Sequence, residues 1–567
     1  MRNNDIIAVV GSPSTNFDLT LDIMETAIDM DVLGSLAMFK TRQSGADVVV
    51  IGQITNVEMN NAWHEKPSMR NLIKVRGKID TITGCLDTMR VKFNPGGAFK
   101  YEQGVWHPAK LGVIPPTGTE VRLATNAVVE NLLSQWKNDL FYLGKTLDGC
   151  IFLPMQFKTF STPTGGEAYS IGIFGKTGSG KSSLAKMILS AYMKHKDMGV
   201  LLIDPAGEFS KSFIGKNTGS QGLLMSEVAK RLGRPTTVYD LTNIQLDKWD
   251  LFFQLLEESA FLKRLKISKS EFQESAMAVI RDDLEKNCEL DALDNPSVME
   301  KTMRHLVENI KMIYKSKGAQ ESTLDVINGQ LGSKAKMESI YEGCWHPVAT
   351  LFSKGANKRK LGVVINDIMN SKNAHAAVLD IEAGLDENFR SDKVKSKILY
   401  RILTRVTKEA DKLYRDGKSA NVLVILDEAH RFAPSHLHEN DEDKGKVRSR
   451  LVQAVKETRK VGVGWMFISQ TLGGISHEII GQLRLLFFGF GLTMGSEFDR
   501  LKEHALGDDD AVDMYRSFRD PMAFGDHQDR EFPFMAVGPI SPLSVTCKPV
   551  FFNAISDVAD FFSKNNI

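Results

Sequence analysis

The run GKTGSGKS, Gly175 to Ser182, limits the folds open to this chain more than any other feature. It fits the pattern G-x-x-x-x-G-K-[ST] and lies between a short apolar run, Ser170 to Phe174, and a helical pattern, Ser182 to His195. A strand that ends in such a loop and continues into a helix aims main-chain N–H groups, and the positive end of a helix dipole, at one point. That point suits the phosphates of a nucleotide. The next apolar run, Val200 to Asp204, completes a β-loop-α-β unit, the opening of a parallel α/β sheet.

The expected nucleotide-binding set is Gly175, Lys176, Thr177, Gly178, Ser179, Gly180, Lys181, Ser182 and Ser183. The three glycines let the backbone turn tightly. Lys181 is placed to reach the β- and γ-phosphates of ATP, and the Ser182 hydroxyl to ligate Mg²⁺. A second motif, NVLVILDEAH, is a buried-type strand ending in Asp427 and Glu428. An acidic pair at such a strand tip beside a phosphate loop assigns Asp427 to the metal shell and Glu428 to polarising the attacking water.

Two further groups are candidates for catalysis. Gln470 follows the strand pattern WMFIS, where a neutral amide orients water or senses the γ-phosphate, unless it is an ordinary surface glutamine. Arg459, in KETRKVGVG, is either an arginine finger for a neighbouring subunit or a surface charge. In LLIDPAGEF, Asp204 and Glu208 either tune the metal and water network or have a helix-capping or salt-bridge role. His430, His436 and His438 have no partner set with metal-ligand spacing and read as solvated loop residues.

A chain of 567 residues is long for one core and predicts at least two domains. The fold expected is α/β: a RecA-like P-loop ATPase core with an N-terminal small β-barrel and a helical insertion. The barrel is placed at 1–135, from β-rich runs at Ala46 to Val57, Leu72 to Ile79 and Pro115 to Ala124. A helical pattern at Asn126 to Trp136 and a connector near Pro154 to Gly166 lead into the ATPase region, 136–567. Further buried strands are expected at Ala376 to Glu382, Val422 to Asp427, Gly464 to Ser469 and Arg484 to Phe490. The insertion is placed at about 244–345, with Ser297 and Glu300 as a capping box after Pro296, and a C-terminal arm at about 536–567. His436 to Arg450, dense in both signs of charge, is expected to be a mobile surface loop whose Lys444, Lys446, Arg448 and Arg450 are either solvated charges or candidates for local contact with DNA.

Lysine plus arginine number 71 against 70 acidic residues, so no global field draws the chain to nucleic acid and any such contact is local. Five scattered cysteines, Cys85, Cys150, Cys288, Cys344 and Cys547, show no CxxC or metal-ligand pairing and read as reduced thiols. No apolar stretch approaches the roughly 18 residues that cross a bilayer, so a cytoplasmic protein without a membrane partner is expected.

With GKTGSGKS, DPAGEF, LDEAHRF, ETRKVGVG and ISQ in this order, the chain resembles HerA-type ATPases of the HerA–FtsK superfamily. The resemblance extends to the β-rich N-terminal region and to VGPISPLSV, Val537 to Val545, which is similar to the family's C-terminal arm. It implies a homo-hexameric ring that moves double-stranded DNA through a central channel, with ATP sites between subunits and Arg459 acting in trans. It also implies a separately encoded nuclease or other effector, in DNA end processing or anti-phage defence. Two other roles are compatible with the same core: a secretion- or conjugation-type transport ATPase, and a nucleotide-gated scaffold for a toxin-like effector.

Overall fold

A computed structural model of the chain describes residues 6–79, 83–84, 86–160, 168–216, 222–370, 375–387, 389–439, 441–505, 507–523, 530–544 and 548–567. Cys85, Cys547, Val545 and part of the Pro154 to Gly166 connector lie outside them.

The N-terminal strands are β1 (Ile6–Val10), β2 (Leu19–Ile23), β3 (Leu36–Gln43), β4 (Ala46–Asn60), β5 (Thr88–Glu102), β6 (Val105–Ala109) and β7 (Glu120–Leu123). They pair in the order β2-β1-β7-β3-β4-β5-β6, and β2 also pairs with β5, so six strands close into a barrel and β6 extends one edge. Alternate residues point inward, among them Ile7, Leu21, Phe39, Phe93 and Val121. The expected strand Leu72 to Ile79 is instead helical over Pro67–Arg76. Pro67 presets the first helical turn, and β4 and β5 already pair with each other out to Asn60 and Thr88. The segment between them is thus left without a strand to join.

The remaining strands are β8 (Leu140–Lys145), β9 (Phe152–Gln156), β10 (Ser170–Phe174), β11 (Gly199–Asp204), β12 (Thr236–Tyr239), β13 (Ile244–Gln245), β14 (Arg359–Lys360), β15 (Ala376–Asp380), β16 (Val422–Leu426), β17 (Val463–Ser469), β18 (Leu485–Gly489), β19 (Pro533–Val537) and β20 (Val550–Ala554). Apart from the short β13–β14 pair, they form one sheet in the order β12-β15-β11-β16-β17-β10-β18-β19-β20-β8-β9. The seven from β12 to β18 are parallel. Both faces are covered: Leu201, Ile203, Val424 and Phe467 pack on one side, and Val200, Leu202, Ile425 and Met466 on the other. This is why the central strands read as continuous apolar runs rather than as alternation.

Helices Trp249–Glu258, Ser270–Asn287, Pro296–Glu308, Lys317–Leu331 and Lys334–Ile340 occupy the expected insertion. They share a core with one face of the sheet, centred on Trp345, which packs edge-on against Phe252 and Phe261 and donates its indole N–H to Leu293 O at 2.8 Å. Asn295, not Ser297, caps the third of these helices by accepting from Ser297 N. The charged run expected as a mobile loop is largely the helix Glu442–Thr458, whose Val447, Leu451 and Val455 are buried. The stretch expected as a C-terminal arm is built into the sheet: β19 and β20 continue it antiparallel, and Phe561 of the last helix packs on Phe141.

The barrel is fastened to this edge of the sheet. The Gln53 carboxamide donates to Phe551 O and accepts from Phe551 N, both at 2.9 Å, and Asn56 donates to Asp510 at 2.7 Å. Gly96 permits the contact sterically, because a methyl group there would lie 2.1 Å from Leu543 O.

Candidate nucleotide-binding site

The loop after β10 rises at the carboxyl end of the parallel sheet, where open α/β folds place their ligands. Gly178 and Gly180 adopt φ of 83° and 86°, a region open to glycine at little cost, and the helix Lys181–Met193 begins directly afterwards. Lys176 and Thr177 are exposed, Ser182 is half-buried and Ser183 is exposed at the mouth of the cradle. Lys181 is buried and donates from Nζ to Lys176 O at 2.9 Å, so its ammonium is folded back across the loop. Burial lowers its pKa, against the attraction of Glu428, Asp427 and Glu208.

β17 lies between β10 and β16, which puts the tips of β16 and β17 beside the loop. Asp427 follows β16 and is 4% exposed. Its pKa is pushed up to about 8, chiefly by burial and then by the charges of Glu428, Asp204 and Glu208. Glu428 is held in the left-handed region at φ 50°, which costs about 1 kcal/mol or more for a residue with a Cβ. That geometry turns the chain sharply out of the strand and leaves the carboxylate facing the loop. Gln470 donates from Nε2 to Glu428 Oε1 at 2.8 Å and accepts from Thr177 Oγ1 at 3.2 Å. One carboxamide thus connects the phosphate loop to the acidic pair.

Four carboxylates, Asp427, Glu428, Asp204 and Glu208, stand around Lys181 and Lys186. This excess of negative charge around a buried acid fits a divalent cation, which Ser182 and Asp427 could hold.

Asp204 is fully buried and accepts from Gly207 N, Ser210 N and Ser210 Oγ at 2.8 Å each and from Ala206 N at 3.3 Å. Of its two readings, the structure shows the capping one. His430 is not a solvated loop histidine. It is half-buried with Nδ1 3.4 Å from Glu428 Oε2, and burial is the main reason that its pKa falls. Glu497 carries a role the sequence did not signal: it accepts from Leu472 N at 2.6 Å and Gly473 N at 2.9 Å, fixing the loop that follows Gln470.

Arg459 is not brought to this site. It is exposed and precedes β17, whereas the nucleotide loop lies at the other end of that strand, beyond Ser469. Seven strand residues separate the two ends, roughly 20 Å. The charged candidates for DNA contact are engaged within the chain: Lys444 with Asp441, Lys446 with Glu442, Arg448 with the carbonyls of Pro434 and Ser435, and Arg450 with Gln453 and Thr407. No helix among the described residues is long and apolar enough to cross a membrane.

A glycine-rich phosphate loop, an intervening strand and an acidic pair on the next strand define a P-loop nucleotide-binding protein with a RecA-like core. The family profile "Helicase HerA, central domain" matches residues 168–408. The DNA double-strand break repair helicase HerA of Sulfurisphaera tokodaii is 23% identical over 372 residues, which are 65% of this chain and 62% of that protein. Among solved structures, VirB4 of Thermoanaerobacter pseudethanolicus is 14% identical over 74% of this chain and 97% of its own, with a TM-score of 0.39. The bacterial conjugative coupling protein TrwBdeltaN70 is 10% identical over 77% and 93%, with a TM-score of 0.38. Residues 168–408 of this chain are thus similar to the central domain of helicase HerA, and the chain spans 62% of the length of the HerA relative it matches.

Proposed function

We propose that this protein is an ATP-driven translocase of double-stranded DNA, acting as a homo-hexameric ring with a separately encoded nuclease or other effector, in DNA end processing or anti-phage defence. The observation that carries the motor reading is the Thr177–Gln470–Glu428 connection, which joins the loop that grips a triphosphate to the carboxylate that acts on water. A scaffold that only binds nucleotide has no use for such a link. The relative described as a DNA double-strand break repair helicase supports DNA as the track.

In this mechanism the main-chain amides of Gly178 to Ser183 hold the phosphates, and Lys181 leaves Lys176 O to meet the β- and γ-oxygens. Ser182 and Asp427 would hold Mg²⁺, which would neutralise charge on the triphosphate. Glu428 accepts the proton of the attacking water. Gln470 transmits displacement of Thr177 to Glu428, so that the base is set only when the loop is filled. Arg459, too far to serve its own site, completes the site of the next subunit in the ring.

The test is ATP hydrolysis by the purified chain with and without linear duplex DNA. Stimulation by duplex, abolished by Lys181→Ala, is the expected result. Hydrolysis that ignores DNA would remove the translocase and leave an ATPase. Glu428→Gln is expected to bind ATP normally and to turn over about a hundredfold or more slowly, and normal turnover would show that another group is the base.

A further inference from the structure

The catalytic groups give the nucleotide a direction. Asp427, Glu428 and Gln470 all lie on the β17 and β16 side of the phosphate loop, so the γ-phosphate end points there and the nucleoside leaves on the opposite flank, toward β18. On that flank Phe490 O accepts from Lys176 N at 3.0 Å, and Gly491 leaves room for the Lys176 side chain, since a methyl group there would lie 2.5 Å from Lys176 Cγ.

Next to these, the chain leading into β19 lies against the loop itself. A methyl group at Gly178 would lie 2.9 Å from Met522 Cγ, and one at Gly180 would lie 2.9 Å from Phe532 Cδ1. Met522 is 57% exposed although it is a large apolar side chain, and Phe532 is half-buried. Arg530 has Nη1 3.9 Å from Met522 Sδ, and its Nε is buried with no hydrogen-bond partner among the described residues. A planar cation, a thioether and an aromatic ring thus gather where a nucleoside would emerge from the cradle. All three stack well on a flat aromatic base, and none of them has a part in hydrolysis.

We propose that Met522, Arg530 and Phe532 form the nucleoside-side wall of the site, and that Arg530 is a specificity-determining residue that stacks on the nucleobase. The inference rests on the ATP reading above. It adds that nearly all discrimination between ATP and a bare polyphosphate resides in this wall, which the P-loop motif does not encode.

Calorimetric titration of the full chain with ATP and with inorganic tripolyphosphate, both with Mg²⁺, separates the two readings. Arg530→Ala is expected to weaken ATP by about 3- to 30-fold, the range of a desolvated cation–π contact, and to leave tripolyphosphate within about twofold. Arg530→Lys, which keeps the charge and loses the plane, should stay weak for ATP. Phe532→Leu tests the ring separately while keeping an apolar side chain in place. Lys181→Ala should weaken both ligands. Unchanged ATP affinity in both Arg530→Ala and Phe532→Leu, full recovery in Arg530→Lys, or an equal loss for tripolyphosphate would each overturn the wall and leave the ATP site standing. A wild-type chain that takes up neither ligand would overturn the site and the wall together.

Discussion

Replacing Asp427 by asparagine should flatten a pH dependence of stability that the acidic site imposes on the ligand-free protein. The folded chain raises this carboxyl from its ordinary 3.8 to about 8, mainly by burial and then by Glu428, Asp204 and Glu208. Between those two values the native state holds a proton that the unfolded chain has released, so the native state binds more protons and stability falls as pH rises. The stabilisation is complete below about pH 4 and gone above about pH 8. At about 1.36 kcal/mol per pH unit the whole span is worth about 6 kcal/mol as a ceiling, of which about half has been lost by pH 6. Asparagine has nearly the same shape and no charge to bury. Its advantage over the native residue should therefore be about 3 kcal/mol greater at pH 8.5 than at pH 6, on the order of 2–3 °C in melting temperature for a cooperative unit of this size. Thermal unfolding of both proteins in chelator, followed by intrinsic fluorescence at the two pH values, measures it. Parallel pH profiles for the two proteins would refute the assignment of this burden to Asp427.

Other expectations follow from single contacts. Gln470→Ala breaks the bridge between Thr177 and Glu428 while leaving the cradle intact, so kcat for ATP should fall at least tenfold with little change in ATP affinity, and a loss confined to binding would contradict its sensing role. Arg459→Ala should abolish hydrolysis but not nucleotide binding, and mixing it with Lys181→Ala chains should restore part of the activity at mixed interfaces; no recovery at any ratio would exclude action in trans. Asp204→Ala removes the acceptor of four hydrogen bonds, two from the turn before Glu208 and two from Ser210 in the helix that follows, and should cost about 2–4 kcal/mol, read as a lower denaturant midpoint, whereas an unchanged midpoint would show that the turn holds without it.

The nucleotide loop, the acidic pair and the buried strands were legible in the sequence because each is a local pattern whose chemistry permits few alternatives. A run such as VLVIL or SIGIF is uniformly apolar only when both faces of its strand are covered, and a glycine-rich turn between strand and helix has one dominant use. Leu72 to Ile79 misread as a strand because its β-branched residues fit either state, and its state was decided by β4 and β5 pairing with each other and excluding it. The run from His436 read as loop by charge density, yet Val447, Leu451 and Val455 spaced at one helical turn gave it a buried stripe that anchors a helix.

What the sequence determined by itself was the cradle and the chemistry it implies, since those depend on residues within a few positions of one another. Only the tertiary structure decided which distant groups meet. It put Gln470 between Thr177 and Glu428, brought His430 onto the same carboxylate, set Arg459 at the far end of its strand and laid Met522 and Phe532 against the glycines of the loop. The order of strands in a sheet is set by packing across hundreds of residues, and no local pattern encodes it.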